Sequence, residues 1–295
     1  MRLDNTSGAI ILTINAAKIL ERFSRSSRLP SNQFLRQLVA VSEQLIHSQP
    51  AMAGIFNLAH TVVKAACKNH ALTPAEEAVR ASQDFVKGLK VSLQAVTELT
   101  ASLVKNGSVI VTHSFSSTVL RALMLARSHG RIFRVICTES RPMLEGVALA
   151  RKLASARISA TLVVDAAVFF HLPSADMVII GADAVCRDGI VNKVGTLGIA
   201  QCARSNKVPV YALASSDKLF PAPAPAAMFG ATAKAEISRT GAQQIAVPNI
   251  LFDLTPFSLV HRVITERGLE RTAAIRSRLR ALRIHPLLRS TFVRS

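Results

Sequence analysis

Residues 107–141 read GSVIVTHSFSSTVLRALMLARSHGRIFRVICTESR. A short β-branched run at 108–112 is followed by a helical pattern at 118–129 and a second such run at 133–138. Two strands joined by a helix pair in parallel, because the crossover returns the chain to the same end of the sheet. The cadence continues downstream. Further apolar runs fall at 161–164, 177–180 and 208–214, with a helical pattern at 146–156 between them. An unbroken apolar strand such as Met-Val-Ile-Ile at 177–180 fits a sheet covered by helices on both faces. The chain is therefore α/β with a mainly parallel sheet.

Upstream of Gly107 the spacing is helical. Phe34, Leu38, Val41 and Leu45 recur on one helix face, and residues 51–67 form a second helical stretch. Thr73, Pro74 and Glu76 write a capping box with proline at the first helical position. The series Phe85, Leu89, Leu93, Val96 and Leu103 then runs to Asn106-Gly107, where glycine stops the helix. This divides the chain into a helical domain at 1–106, a ligand-binding α/β domain at 107–265, and a basic helix and tail at 266–295. The segment 220–230, rich in Pro and Ala, reads as a lid or interface loop.

The 295 residues are 49% hydrophobic and 18% charged, which describes a globular chain with a sizeable core. Without Trp and with one Tyr, that core rests on Leu, Ile, Val, Ala and Phe. The formal charge of +18 suits phosphate, nucleic acid or an acidic surface. Arginine is dense after Glu266, so RNA binding is assigned to the basic C-terminal tail. Cys67, Cys137, Cys186 and Cys202 lack CxxC spacing and read as free thiols of a reducing compartment, not as a zinc site. The apolar stretch 9–20 is interrupted by Asn15 and Lys18, so neither a signal peptide nor a membrane span is predicted. A cytoplasmic protein with no metal and no cofactor is the expectation.

Ligands of parallel sheets sit beyond the carboxyl ends of the strands. The residues there are polar. Asp183, after the apolar strand at 177–180, is a candidate general acid if burial raises its pKa, or else a carboxylate that ties a turn. After Asn192 and Lys193, the pair Gly195-Thr196 opens a helix, which offers an anion N–H groups and a hydroxyl with the Lys193 ammonium beside them, or is an ordinary helix start. Ser114, Ser116 and Ser117 form a hydroxyl-rich turn. His113 and Ser114 are adjacent in an extended segment and point apart, so His113 is structural. Arg141 either clamps phosphate or locks Glu145 in a salt bridge, and Lys218 is a second phosphate candidate.

The runs VIVTHSFSSTVLRAL, VICTESRPMLEG, VVDAAV, VIIGADAVCRDGIVNKVGT and LASSDKLFP, in this order, resemble the initiation factor 2B alpha, beta and delta subunit family. That family also contains methylthioribose-1-phosphate isomerase and ribose-1,5-bisphosphate isomerase. The resemblance implies an N-terminal helical domain followed by a Rossmann-like domain. It implies a homodimer or a paralogous partner subunit. Its enzymes turn an aldose 1-phosphate into a ketose 1-phosphate. The isomerases' acid falls on Asp183, their Asn-Lys contact on Asn192 and Lys193, and a late Lys on Lys218.

Their catalytic Cys falls on Ser114, whose hydroxyl cannot replace a thiolate without an activating base. Their Arg-Gly-Ala phosphate loop falls on Ser7, Gly8 and Ala9, and an Arg before Pro falls on Gln49. The missing thiol and arginines favour a regulatory or divergent relative that binds a phosphorylated sugar or nucleotide. The surviving residues keep open an aldose–ketose isomerase with Asp183 as acid. The charge keeps open a protein that binds RNA or ribosomes.

Overall fold

The computed structural model describes residues 8–68, 72–229 and 250–292. Four helices come first: α1 (Ala9–Ser26), α2 (Ser31–Ser48), α3 (Ala53–Ala66) and α4 (Pro74–Leu103). The capping box forms as the sequence predicts: Thr73 accepts from the Glu76 N–H, and the Glu76 carboxylate accepts from the Thr73 N–H. Helix α4 ties the two halves together. Ala78 near its start packs in the helical core, and Val96 near its end packs under the sheet.

The α/β part then runs β1 (Val109–Thr112), α5 (Ser117–Ser128), β2 (Arg134–Thr138), α6 (Glu145–Ser155), β3 (Ser159–Val163), α7 (Val168–His171) and β4 (Met177–Ile180). It continues with β5 (Ala184–Val185), β6 (Gly189–Lys193), α8 (Thr196–Ser205), β7 (Val210–Leu213), β8 (Phe252–Pro256), β9 (Arg262–Thr265), β10 (Gly268–Glu270) and α9 (Thr272–Ala281). The main sheet has seven strands in the order β10-β9-β7-β4-β1-β2-β3. It is parallel except for β10, which pairs antiparallel with β9. The sheet thus runs past residue 265, because β10 adds to its edge. Helix α9 follows and buries Ile275 and Leu279 against the same core as β4 and β7.

A second, three-stranded antiparallel sheet, β5-β6-β8, lies beyond β4 and packs Ala184 and Val191 into the helical core. Asn192 and Lys193 end strand β6, where they pair with Asp253 and Phe252 across the ladder, and Gly195-Thr196 then opens α8 as the sequence predicts. No described helix is long and apolar enough to cross a membrane.

Candidate functional site

A cleft of about 130 Å³ opens where the carboxyl ends of β1 and β4 meet the small sheet and the first helix. Gly8, Ala9, Ser114, Ser116, Ser117, Asp183, Asn192, Lys193 and Lys218 all line it. Gln49 lines it too, as does Glu145. Ser7 lies outside the described residues. Arg141 is exposed and sits off the cleft lining, and Glu145 is paired elsewhere: Lys193 Nζ is 2.6 Å from Glu145 Oε1. The Arg141–Glu145 pairing expected from sequence thus gives way to a Lys193–Glu145 pair, in which Glu145 meets an ammonium of the small sheet.

A glycine sets the approach of the strand ends. A Cβ on Gly181 would stand 2.9 Å from both Cβ and Oγ of Ser116, so the bare backbone lets the start of α5 sit against the end of β4. Ser116 caps α5 by accepting from the Val119 N–H.

His113 is structural, as its position predicts. Its Nε2 is 2.8 Å from the Val194 carbonyl, which can only accept, so Nε2 carries the proton. Nδ1 therefore accepts from Thr138 Oγ1 at 2.6 Å. Thr138 Oγ1 is in turn 2.9 Å from Ser140 Oγ, and Ser140 Oγ accepts from the Ser114 N–H at 2.8 Å. This chain of bonds holds Ser114 at φ +63° and leaves His113 no nitrogen with which to activate it. Burial also pushes the His113 pKa down and keeps the ring neutral. Among the described residues no hydrogen bond reaches Ser114 Oγ. Cys137 does not substitute. It is buried in β2, and burial pushes its thiol up to about 12.

The anion reading of Gly195-Thr196 is corrected. The Asp253 carboxylate accepts from the N–H groups of Gly195 at 2.7 Å and Leu197 at 3.1 Å, so β8 already supplies the anion at the start of α8. Burial still pushes Asp253 up to about 6, against the lowering effect of those N–H groups. Thr196 Oγ1 donates to the Lys193 carbonyl and accepts from Asn192 Nδ2, which locks the Asn-Lys pair to the helix. Phe252 lies under the Lys193 ammonium, with its ring centre 5.2 Å away.

Lys218 reaches the cleft on a short turn that two distant residues fix. Asn57 of α3 donates to the carbonyls of Asp217 and Leu219 at 2.6 and 2.8 Å. Arg278 of α9 contacts Ser216 Oγ and Glu270, and Ser216 in turn bonds Glu266. Sequence reasoning missed Asn57, Asp253 and Arg278, because each acts on the site through a residue more than fifty positions away and no local pattern marks it.

Asp183 is the electrostatic centre. Burial raises its pKa; the ammonium groups of Lys218 and Lys193 pull it down, and the Glu145 charge raises it again. The cleft thus holds a carboxyl with a raised pKa, two ammonium groups, two amides and four serines, which is equipment for an anionic, hydroxyl-bearing ligand.

The chain is similar to proteins of two kinds. It is 30% identical over 246 residues to a Pyrococcus furiosus protein named for its likeness to translation initiation factor eIF-2B subunit 2, covering 83% of this chain and 84% of that one. It is 28% identical over 266 residues to the ribose 1,5-bisphosphate isomerase of Methanocaldococcus jannaschii, covering 86% and 83%. The crystal structure of translation initiation factor eIF-2B from Pyrococcus horikoshii OT3 superposes with a TM-score of 0.79 at 28% identity, over 92% of this chain and 94% of that one. The profile of the initiation factor 2 subunit family matches residues 5–272, and the chain belongs to that family.

Proposed function

We propose that the cleft binds a phosphorylated sugar or nucleotide and that the chain is a regulatory or divergent relative of the family's isomerases. One observation carries this reading: two buried ammonium groups, Lys193 and Lys218, act on the half-buried carboxyl of Asp183, beside a Ser114 that no base among the described residues activates. The ammonium groups answer a phosphate, and the carboxyl and serines answer sugar hydroxyls. Titration calorimetry with ribose 1,5-bisphosphate and with adenosine monophosphate tests it. Lys218→Ala is expected to weaken binding about tenfold or more, the usual effect of losing a charged hydrogen bond. Absence of heat with both ligands would overturn the reading. Assembly as a homodimer or with a paralogous subunit belongs to the same proposal, and light scattering of the purified chain checks it.

A second reading, an aldose–ketose isomerase of a sugar 1-phosphate, draws on the burial of Asp183. A carboxyl whose pKa is raised holds its proton more readily and can deliver it to a ring oxygen. Proton NMR in heavy water separates the two. Ketose formation by the native chain would make it an isomerase. Turnover by Ser114→Cys alone would mean a site complete but for its thiol.

A further inference from the structure

The end of the main sheet opposite the cleft carries a different charge. The chain entering the parallel strands there carries Lys105 before β1, Arg131 and Arg134 at β2, Arg157 before β3, Arg204 in the last turn of α8, and Lys207 before β7. All six are exposed, and among the described residues none has an ion-pair partner. The one acid in these loops is Asp176, and its carboxylate is engaged by the Val109 N–H at 2.7 Å. The cleft end, by contrast, mixes cations with Asp165, Asp183, Asp217, Glu145 and Glu266. The basic excess at this end is therefore local, not a uniform share of the net charge of +18.

The loops are knit into one surface. The Gly107 N–H donates to the Ile132 carbonyl at 2.7 Å, and the Ile132 N–H donates to Asn106 Oδ1 at 2.9 Å. Arg127 Nε donates to the Arg157 carbonyl at 3.1 Å. From β7 through β4, β1 and β2 to β3 there are four strand spacings, or roughly 19 Å. At about 3.4 Å per stacked nucleotide, such a band meets about five successive phosphates.

Backbone conformation supplies the second observation. Arg157 and Lys207 follow the ends of α6 and α8 with φ of +58° and +59°. Glycine is the usual residue there, since an L side chain is strained in that region. The equivalent place after α5 does carry glycine, Gly130, with φ +80°. A basic side chain is thus retained at two positions where the fold itself prefers none. Favourable contact with helix dipoles accounts for cations in the last helical turn, such as Arg204. It does not account for Lys105, Arg131 or Arg134, which lie outside the helices.

We infer that this strand-entry face is a sequence-independent binding surface for the phosphate backbone of RNA. The cations are spread over a band and do not converge on one small anion. Most are arginines, whose forked donors match phosphate oxygens. Ile132, 70% exposed, is the one large exposed apolar side chain in these loops, too little for insertion into a lipid surface. The proposed RNA surface is the strand-entry end of the sheet, separate from the basic C-terminal tail and independent of the cleft.

Fluorescence anisotropy with a labelled 20-nucleotide polyuridine RNA, at salt concentrations from 50 to 200 mM, tests the assignment. Arg131→Gln with Arg134→Gln is expected to weaken binding and to reduce the salt slope by about 1.4, or 0.7 for each phosphate contact removed. Arg157→Gly with Lys207→Gly relieves the backbone strain, so it should raise the unfolding midpoint by a few degrees while weakening RNA binding. A midpoint that rises with RNA affinity and salt slope unchanged would overturn the inference. So would a native chain that ignores the RNA, or a loss of binding seen only when the residues after Leu279 are deleted. Native binding to phosphatidylserine vesicles that the glutamine variant loses, with RNA affinity intact, would assign the face to membranes instead.

Discussion

Glu145 meets Lys193 at 2.6 Å, while its second oxygen, Oε2, is buried with no hydrogen-bond partner among the described residues. The pair is nearly closed to water, with side-chain exposures of 7% for Lys193 and 18% for Glu145. Removing one member of such a pair strands the other charge, at a cost of about 3–5 kcal/mol. Lys193→Met is therefore expected to destabilise the chain by about that much in urea unfolding. Lys193→Met combined with Glu145→Gln should lose less than the sum of the single changes, with a coupling of at least ~1 kcal/mol. Additive losses would mean that the two charges are held by water and not by each other.

Asp183 gives a pH signature whose sign follows from its burial. Its folded pKa lies above the unfolded value near 3.9, so the native state keeps a proton that the unfolded chain releases. Its contribution to stability is complete below about pH 4 and is lost as pH rises through the folded pKa. Asp183→Asn never ionises and escapes that loss. The variant should be more stable than the native chain at pH 8, with a smaller gap at pH 4.5. Urea midpoints at the two pH values check it, and a gap that ignores pH would show that the Asp183 carboxyl titrates normally.

Local signals made part of this molecule legible in its sequence. The Thr73–Glu76 box sits within four residues, and it forms. The polar residues after β1 and β4 were placed at the strand ends because strands and crossovers announce themselves by period. What failed was long-range. The Gly-Thr helix start after Asn192 and Lys193 forms, but nothing local marks those two residues as the end of a strand paired with residues 252–253. Asp253 fills the start of α8 from 58 positions away, and Asn57 clamps the Lys218 turn from 160. Ser114 lines the cleft, yet its isolation from His113 depends on Thr138 at the end of β2 and on Ser140 just beyond it.

Arg278 should affect ligand binding without lining the cleft. Its guanidinium stands 3.8 Å from Glu266 and bridges Glu270 to Ser216, the first residue of the turn that presents Lys218. Arg278→Ala leaves those carboxylates without their cation in a mostly buried place. We expect a loss of about 3 kcal/mol in stability, together with weaker binding of ribose 1,5-bisphosphate. Arg278→Lys should restore little, because one ammonium cannot reproduce a forked contact to two partners. Unfolding and calorimetry on both variants check this. Native affinity in Arg278→Ala would disconnect α9 from the cleft.

Two glycine-to-alanine changes should act in opposite directions. A Cβ on Gly146, in the first turn of α6, would lie 1.8 Å from the carbonyl oxygen of Thr138 at the end of β2. That neighbour is backbone and cannot swing away, so the helix would have to leave the strand end, and Glu145 would move with it. Gly146→Ala is expected to cost more than ~3 kcal/mol or to prevent folding. Gly88 is an exposed residue in the middle of α4, and a Cβ there meets nothing within 4 Å. Gly88→Ala gains helix propensity and should stabilise by about 0.5–1 kcal/mol. Thermal unfolding of the pair checks both signs. A well-folded Gly146→Ala would show that α6 does not rest on the end of β2, and the Glu145–Lys193 pair would then need another anchor.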